Sequence, residues 1–518
     1  MANNYTSLKL SYTNAYDFSE TFSDIELDDH IRYVFLSNST PYDNESVIPS
    51  IEDTAVSEKE VWDKMFAAKR VTGNDVEMVV PRINWSNSTV YKQYDDTVDL
   101  SSLLPDSDGA NSIYVLTSDL NVYKCIYNNS DGTSTVEPSG YQYTANGYFT
   151  TADNYVWKYM YSIKPSNKFL TTEWMPAPTS VNILGYNTSS ENLLDGAVAN
   201  IVVENGGSGY IHSSFNTYPF EAGVTSIKAN TVLTGIAVNN MIVDGTGILP
   251  GSKIIDVDYV TSIITLSEPT TSSGGGSGNT VNITTGVFVV GNGNDDTVVT
   301  VNLSGTSIDT IEVDSVGTGY SYAAVEIYGT GSSATARAII APKFGHGFNP
   351  AKELGSSAVM ISKIIGQLDS TEGNLISIDT SFRQYGLLNN PHKYGETTSI
   401  LHTDANTVIS QTTDLTIIGG SPYTLNEIVF QGSTYANSTF SGIVHAQDSN
   451  VVRLTNIRGT PTIGGLLVGD TSTVQRAVSS VNNPEFEPYT GDIVYVENAL
   501  ATNRIDGQAE IIKFVIKF

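Results

Sequence analysis

The segment Gly329–Ala334 is the candidate for cofactor chemistry in this sequence. It reads G-T-G-S-S-A after the predicted strand Val325–Tyr328, so it matches the glycine-rich turn of dinucleotide-binding proteins. That turn needs a helix directly after it, because the helix N-terminus holds the pyrophosphate. Here the next residues, Thr335–Ile340, alternate as a strand does, and Pro342 follows. The pattern therefore predicts a β turn and no bound cofactor.

Two acidic turns have spacings that calcium ligands use. Asp106–Gly109 reads D-S-D-G and begins like an EF-hand loop, but Thr117 stands where the loop needs its last glutamate. Gly291–Asp296 reads G-N-G-N-D-D and resembles one calcium β-roll repeat without the neighbouring repeats. Oxygen-rich turns are a normal feature of β proteins, so we predict no metal site.

Cysteine and histidine form no catalytic pattern. The single cysteine, Cys125, lies in the alternating run V-Y-K-C-I-Y, which favours a packed thiol over a nucleophile. The histidines are scattered, and each is predicted to be a surface or core residue: His30, His212, His346, His392, His402 and His445. A glycosidase carboxylate pair is recognised by its separation in space, so the sequence leaves that pair open. We predict that the protein is not an enzyme.

Composition limits the classes of partner. The 518 residues include 26 basic and 55 acidic side chains, a net charge of −29. Such a surface repels phosphate backbones and anionic lipids, so neither nucleic acid nor a membrane is a predicted partner. Hydrophobic residues make up 40 % of the chain, enough to bury a core. The start, Met1–Tyr5, lacks the basic and apolar regions of a secretory signal, so we expect a soluble, cytosolic product.

Short runs rich in Val, Ile, Thr and Tyr alternate with Gly, Asn and Ser clusters, which predicts a mainly β chain. Clear examples are Ile31–Leu36, Ser112–Leu116, Tyr155–Ile163 and Ile511–Phe518. One helix is predicted from a capping box at Ser57 and Glu60, with Lys69 and Arg70 in its last turn. A second, short helix is predicted at Asn349–Leu354.

The chain repeats itself once. Ile201–Tyr210 reads I-V-V-E-N-G-G-S-G-Y, and Ile311–Tyr320 reads I-E-V-D-S-V-G-T-G-Y. Each copy predicts a strand, a turn whose glycines take positive φ, and a tyrosine that packs back. Two similar β units are therefore expected, with other material inserted between them.

These observations predict a multidomain frame of β-sandwich or barrel type, with few short helices and small inserted β domains. The predicted frame comprises residues 1–190, 345–400 and 483–518. An inserted β region at 191–344 contains the repeat and a nested module at about 223–285. A second small β domain is predicted at 401–482, since loops tolerate such insertions.

Four segments near the two ends of the chain carry a family resemblance. They are Tyr33–Tyr42 with the Trp62 helix after it, Val79–Trp85, Asp153–Ile163, and Gly491–Asn498 followed by Arg504 and Gln508–Phe514. In this order and spacing they resemble the baseplate wedge protein of T-even-like contractile-tailed phages, the gene product eight family. The resemblance covers about residues 1–186, part of 348–394, and 484–518. The inserted β modules in the middle depart from the family pattern.

The resemblance implies a structural subunit of the virion tail baseplate that is assembled in the bacterial host cytoplasm. It implies a homodimer in each wedge, contacts with other baseplate wedge proteins, and a baseplate that changes shape on tail contraction. An alternative is a tail-associated receptor- or glycan-binding protein whose inserted modules bind the host surface. A polysaccharide-degrading tailspike is disfavoured, because solenoid tailspikes have many regular repeats and this chain has one distant pair.

Aromatic residues in the third segment have a predicted role. Tyr155, Trp157, Tyr159 and Tyr161 alternate along one strand and are predicted to share one face. The favoured interpretation is that they fill a sandwich core. The alternative is an exposed aromatic interface, because tyrosine and tryptophan are enriched at protein interfaces.

The remaining candidate residues belong to the second and fourth segments. Pro81 and Arg82, with Trp85, are predicted to form a turn that presents the guanidinium to a carboxylate of this chain or of a neighbour. The candidates of the fourth segment are Tyr495, Glu497, Asn498 and Arg504. All are core or interface candidates, and none is predicted to be catalytic or to hold a cofactor or metal.

Overall fold

The computed structural model describes residues 7–22, 30–105, 112–140, 148–180, 187–188, 194–367, 381–396, 401, 408–502 and 509–518. Strands account for 46 % of the residues and helices for 8 %, which confirms the predicted mainly β class. The helices are α1 Leu8–Glu20, α2 Ala55–Lys64 and α3 Pro350–Glu353, with 3₁₀ turns at Gly73–Asp75, Leu100–Ser102 and Tyr435–Asn437. Within these described ranges, no helix has the length and apolar character needed to span a membrane.

The strands are numbered in chain order. The first group is β1 Arg32–Ser37, β2 Met65–Arg70, β3 Val76–Pro81, β4 Tyr114–Leu116, β5 Asn121–Tyr127, β6 Tyr148–Thr150, β7 Val156–Ser162, β8 Trp174–Pro176 and β9 Asn187–Thr188. The second is β10 Val198–Ser208, β11 Ser213–Asn216, β12 Ser226–Lys228, β13 Ile242–Gly245, β14 Ile254–Asp258, β15 Ile263–Leu266, β16 Thr280–Thr284, β17 Gly286–Gly291, β18 Thr297–Ser304, β19 Ser307–Val316, β20 Ala323–Tyr328 and β21 Ser332–Ile340. The third is β22 Ala358–Gln367, β23 Phe382–Asn389, β24 Ile409–Ser410, β25 Thr413–Ile417, β26 Ile428–Gln431, β27 Phe440–Asp448, β28 Val451–Gly459, β29 Leu466–Gly469, β30 Gln475–Asn482, β31 Asp492–Thr502 and β32 Ala509–Lys517.

The chain forms two compact units. The first unit consists of Met1–Lys9 and Val80–Ser356, and the second of Leu10–Val79 and Ser357–Phe518. The predicted insert 191–344 therefore belongs to the first unit and the predicted insert 401–482 to the second. The predicted domain limits themselves stay a prediction.

The first unit contains a sheet in which β5 lies between β4 and β7, while β6 and β9 pair with β7. Its two central strands read N-V-Y-K-C-I-Y and V-W-K-Y-M-Y-S. Valine and aromatic side chains favour extended backbone, and both faces of β5 are buried. Polar residues in these strands, such as Lys124 and Lys158, are therefore buried as well.

The repeated segment forms a sandwich in the same unit. The sheet β18-β19-β10-β21 packs with the pair β17-β20, and Ile201 of the first copy pairs directly with Ile311 of the second. The two copies are thus antiparallel neighbours in one sheet. Their shared core is Val198, Ile201, Tyr210, Val287, Val289, Val301, Ile308, Ile311, Tyr320 and Ala338.

The tyrosine that ends each copy packs on a glycine turn between two strands that follow the other copy in the chain. Tyr210 lies against the turn Gly329–Gly331, and Tyr320 lies against Gly291–Gly293. The middle residue of each turn completes the contact: Ile211 N donates to Thr330 Oγ1 at 3.1 Å, and Ser321 N donates to Asn292 Oδ1 at 2.9 Å. Each tyrosine therefore makes the same kind of contact in the opposite half of the sandwich, an exchanged packing that gives the two copies approximate twofold symmetry.

Adding a methyl group to either glycine turn is expected to destabilise the sandwich. In Gly331→Ala the new Cβ would overlap the Tyr210 ring and lie 2.6 Å from the Ser208 carbonyl oxygen. Such overpacking costs about 1–3 kcal/mol. Thermal unfolding should show a similar loss for Gly293→Ala, which meets the Tyr320 ring, and none for Gly419→Ala, where nothing lies within 4 Å. Equal stability of all three variants would contradict the exchanged packing.

A nested module separates Tyr210 from β17. It has two three-stranded sheets, β11-β16-β13 and β12-β15-β14. Its own apolar core is Phe215, Phe220, Ile227, Ala229, Leu233, Ala237, Met241, Val243, Ile248, Ile254, Val257, Ile264, Leu266, Val281 and Ile283. The second repeat has only Ser321 and Tyr322 between its tyrosine and β20, so the module occupies the equivalent turn of the first repeat.

The second unit contains two sheets and a barrel. One sheet has the order β24-β2-β1-β23-β31, and in the other β22 lies between β32 and β3. They pack face to face where the Tyr495 ring stacks on Phe514 at 5.0 Å. The strands β25-β28-β27-β26-β29-β30 close a small barrel whose core is Leu415, Ile417, Tyr423, Val429, Phe440, Val444, Val452, Leu454, Leu467 and Val478.

Helix α2 differs from its prediction at both ends. Thr54 is the N-cap and accepts a hydrogen bond from Ser57 N, so the predicted cap at Ser57 is wrong. The helix ends at Lys64, and Lys69 and Arg70 lie in strand β2. The backbone from Met65 onward pairs with β1, and this sheet pairing overrides the local helical pattern. The short second helix is confirmed as α3.

Candidate functional site

Three of the four predicted aromatic residues share a core. Tyr155, Trp157 and Tyr159 are at most 4 % exposed and pack with Tyr91, Val115, Tyr123, Cys125 and Phe149. Tyr161 does not share their face. Tyr159 pairs with Tyr123 and Tyr161 with Val122, so Met160 forms a bulge that turns Tyr161 to the opposite side. The prediction of one common face is wrong at Tyr161 for this reason.

The second segment adjoins the same core. Trp85 packs on the aromatic cluster, and its Nε1 donates to Ser134 Oγ at 3.1 Å. Pro81 is exposed, and its carbonyl accepts a hydrogen bond from the Tyr114 hydroxyl. Its neighbour Arg82 donates to an amide oxygen and a carbonyl, Asn84 Oδ1 at 2.9 Å and Thr171 O at 2.8 Å.

The predicted carboxylate partner of Arg82 is therefore wrong within the described part of this chain. The guanidinium binds neutral oxygens of the first unit and fixes the turn locally. Its role in contacting a neighbouring protein stays a prediction.

The fourth segment lies on β31 in the second unit. The Tyr495 hydroxyl donates to Glu497, two residues along the strand. Asn498 accepts from Gln384 Nε2 at 2.8 Å and donates to Pro49 O at 2.9 Å. Arg504 lies outside the described residues. The described three are half-buried side chains that connect β31 to its neighbours.

The motifs that resemble cofactor and metal sites have other roles. The glycine turn Gly329–Gly331 leads into strand β21, and no helix follows it. In the second acidic turn, Asn294 donates to Asp296 and accepts from Thr318 N. The first acidic turn, Asp106–Gly109, lies outside the described residues. Among the residues that are described, no three His, Cys, Asp or Glu side chains group as a metal ion requires.

A pair of buried lysines is the most unusual chemical feature of the first unit. Lys124 on β5 and Lys158 on β7 are direct cross-strand neighbours, 1 % and 2 % exposed. They occupy the same positions in the similar runs V-Y-K-C and V-W-K-Y. Two like charges at opposed positions destabilise a sheet, so this face needs a compensating anion.

The compensating carboxylate comes from the segment after the repeat sandwich. Glu353 ends helix α3, which Asn349 caps by accepting from Lys352 N and Pro350 starts. His346 precedes the helix and is 2 % exposed. Gly347 between them has φ +92°, a conformation that residues with a Cβ rarely adopt.

These side chains form one hydrogen-bonded group. Lys124 Nζ lies 3.1 Å from His346 Nδ1 and 3.3 Å from Glu353 Oε2, and His346 Nδ1 lies 3.3 Å from the same oxygen. The other carboxylate oxygen accepts from Gly347 N at 2.8 Å and Asn349 N at 3.4 Å. Each oxygen of the Glu353 carboxylate thus has a hydrogen-bond donor.

Aromatic rings cover the group. The Tyr94 ring lies 4.1 Å from Lys124 Nζ and meets the His346 ring edge to face at 4.6 Å. The Tyr148 ring lies 5.7 Å from Lys158 Nζ. The faces of these rings attract the lysine ammonium groups, and the rings also shield the group from water.

Burial shifts the pKa of each ionisable group. It lowers the pKa of Lys124, against the opposing charge of Glu353, and lowers the pKa of Lys158 to about 8. Burial and the Lys124 charge lower the pKa of His346 to about 3. Burial acts to raise the pKa of Glu353, but Lys124 and the hydrogen bonds outweigh it and hold that pKa below its usual value.

We take the Lys124–His346–Glu353 group as the candidate functional site. It combines an amine, a neutral imidazole and a fully hydrogen-bonded carboxylate in a place that bulk water does not reach. No substrate from solution touches these atoms without a rearrangement, since the exposed fractions are 1 %, 2 % and, for the Glu353 side chain, 8 %. The chemistry available is therefore between the protein's own side chains.

Sequence reasoning missed this site. Side chains alternate along a strand, so Lys124 lies on the opposite face of β5 from Tyr123 and Cys125. In a sheet with only one buried face, the face that carries Lys124 would be exposed to water. The available signal was the matching position of lysine in V-Y-K-C and V-W-K-Y, which predicts two neighbouring lysines once the strands pair.

No protein-family model matches this sequence, and a search of curated proteins finds no match either.

Proposed function

We propose that this chain is a structural subunit of a phage tail baseplate wedge. In this role it assembles with a second copy of itself and with other wedge proteins, and it takes part in the rearrangement of the baseplate on tail contraction. The proposal assigns it no enzymatic turnover.

One observation carries the proposal: the four segments of the family resemblance meet in pairs. In the second unit, β1 of the first segment and β31 of the fourth lie on either side of β23. In the first unit, Trp85 of the second segment packs on the aromatic core of the third. Segments far apart in sequence thus build two common cores, as expected if they are the shared frame of a family and the modules are additions.

The oligomeric state of the purified chain tests the proposal. Light scattering should give about twice the sequence mass of 55.7 kDa, because the resemblance implies a homodimer. A trimer would contradict the proposal and favour a fibre or tailspike. A monomer at micromolar concentration would contradict the proposed self-association. Failure to co-purify with other tail proteins would then contradict the proposed assembly with wedge proteins.

A second candidate, a receptor- or glycan-binding protein, is favoured by one feature of the nested module. Tyr218 and Tyr259 are 54 % and 45 % exposed there, and exposed aromatic rings are what sugars stack on. Calorimetric titration with host surface polysaccharide distinguishes the two. Binding that is lost in Tyr218→Ser, with unfolding unchanged, would favour the second candidate; no heat of binding would favour the wedge subunit.

A further inference from the structure

The buried group in the first unit places an amine against a carboxyl without water between them. Lys124 Nζ is 3.3 Å from Glu353 Oε2, and both side chains are buried. Amine and carboxyl are the two reactants of an amide bond. We propose that Lys124 and Glu353 join spontaneously in the folded protein through an isopeptide bond, a modification that goes beyond the structural role proposed above.

His346 is positioned to move the protons. Its Nδ1 lies within hydrogen-bond distance of the attacking nitrogen and of the leaving oxygen, at 3.1 and 3.3 Å. The buried ring is neutral at physiological pH, because burial and Lys124 hold its pKa to about 3. With its proton on Nε2, the ring has a lone pair on Nδ1 that accepts from Lys124 and returns the proton to Glu353.

Two backbone amides are positioned to hold the developing negative charge. Gly347 N and Asn349 N both donate to Glu353 Oε1, at 2.8 and 3.4 Å. When the amine adds to the carboxyl carbon, charge accumulates on this oxygen, and preorganised donors stabilise it. Gly347 has a φ of +92°, a conformation that glycine adopts without the strain a Cβ would bring.

The reaction balances without an oxidant or a co-reactant. The ammonium of Lys124 passes one proton through His346 to Oε2, and the neutral amine attacks Cδ of Glu353. The Nζ–Cδ bond forms, and the Cδ–Oε2 bond breaks with its electron pair on oxygen. A second proton from nitrogen follows by the same route, so the products are one amide and one water. Departure of this water from a dry site favours the amide.

The bond would join residues that are 229 positions apart in the sequence. The loop it closes contains the whole repeat sandwich and the nested module. A covalent bond between β5 and the end of α3 keeps these parts attached under force. Non-covalent packing alone would hold them only until the protein unfolds.

Intact-mass spectrometry of the denatured full chain is the direct test. We expect a mass lower than the sequence mass by one water, and a protease digest with one branched peptide that contains Lys124 and Glu353. Lys124→Met and Glu353→Ala should both restore the full mass. In His346→Gln the linkage should form roughly 100-fold more slowly, as loss of a general acid–base group predicts.

Lys158→Met is the matched control, since it removes an equally buried lysine opposite the reacting one and should keep the linkage. A wild-type chain that retains its full sequence mass after prolonged incubation would overturn the proposal, and this readout needs no variant to fold. Loss of water with a branch at any other pair, or loss of the branch in a folded Lys158→Met chain, would also overturn the assignment. None of these results depends on the oligomeric state, so they are separate from the test of the proposed function.

Discussion

Trp157→Ala is expected to lower the stability of the first unit by about 3–5 kcal/mol, the usual range for removing a large aromatic side chain from a core. The indole is fully buried, stacks on Tyr155 at 5.4 Å and meets Tyr91 edge to face at 5.8 Å. Truncation leaves a cavity that the surrounding β5 and β7 strands fill only in part. Calorimetry should show the loss in one of the thermal transitions.

Two further variants make this prediction specific. Trp157→Phe should cost far less, because it keeps most of the volume and removes a buried Nε1 that has no hydrogen-bond partner among the described residues. Tyr322→Ala, at a residue 64 % exposed, should stay within about 0.5 kcal/mol of wild type. If Trp157→Ala instead leaves unfolding unchanged and weakens self-association, the aromatic strand is an interface and not a core.

Acid is expected to destabilise the first unit through His346. In the folded protein burial and Lys124 lower the pKa of His346 to about 3, whereas an unfolded histidine has a pKa of about 6.5. Between these values the unfolded chain binds more protons, so the free energy of unfolding falls as the pH falls through this window. One such histidine contributes a slope of at most about 1.4 kcal/mol per pH unit.

His346→Gln should remove this slope while it keeps a polar side chain beside Lys124 and Glu353. The quantity compared between wild type and variant is the pH slope of unfolding between pH 4 and pH 7, and not the absolute free energy, because a Lys124–Glu353 linkage present in one chain alone would also change its stability. Carboxylates with a lowered folded pKa act in the same direction, and those that do not contact His346 cancel in the comparison. Glu353 does not cancel, because His346 contributes to the lowering of its pKa. A variant with the same pH slope as wild type would contradict a neutral, buried His346.

The second unit offers an internal comparison. Burial also lowers the pKa of His445 to about 3, and its ring stacks on Phe66 at 4.1 Å. His445→Gln should flatten the acid dependence of the second unit and leave that of the first unchanged. If each substitution alters both units equally, the two histidines do not act locally.

Sequence patterns predicted which helices, strands and turns form better than they predicted the residues at which these elements begin and end. The repeat Ile201–Tyr210 and its copy emerged directly, and Gly209 and Gly319 take the positive φ that the turn requires. The last turn of α2 was misplaced because residues Met65 to Arg70 satisfy both a helical pattern and a buried strand. Only pairing with a partner strand decides between the two, and local sequence carries no record of that partner.

The candidate site was out of reach for a related reason. Lys124 and Glu353 meet through the register of β5 with β7 and through the return of the chain after the repeat sandwich. Neither contact follows from spacing along the sequence. The bulge at Met160 adds to this, since one extra residue reverses which side chains face the core and no local composition signals it.

The exchanged tyrosines also set the order in which the protein can be completed during synthesis. The Gly209 carbonyl accepts a hydrogen bond from a Thr330 hydroxyl 121 residues later. At roughly 5–20 residues per second the ribosome needs on the order of ten seconds to make that stretch. Until then Tyr210 has no glycine turn to pack on, and β10 lacks its neighbour β21 in the sheet.

The nested module has no such delay, because its core lies between Phe215 and Ile283. It can fold on the ribosome before the second repeat has been synthesised. During that time the folded module follows directly after β10, whose hydrophobic edges are still unpaired. A nascent chain stalled before Gly329 should then expose the edge of β10 beside a finished module, and that edge is where premature association between neighbouring nascent chains would begin.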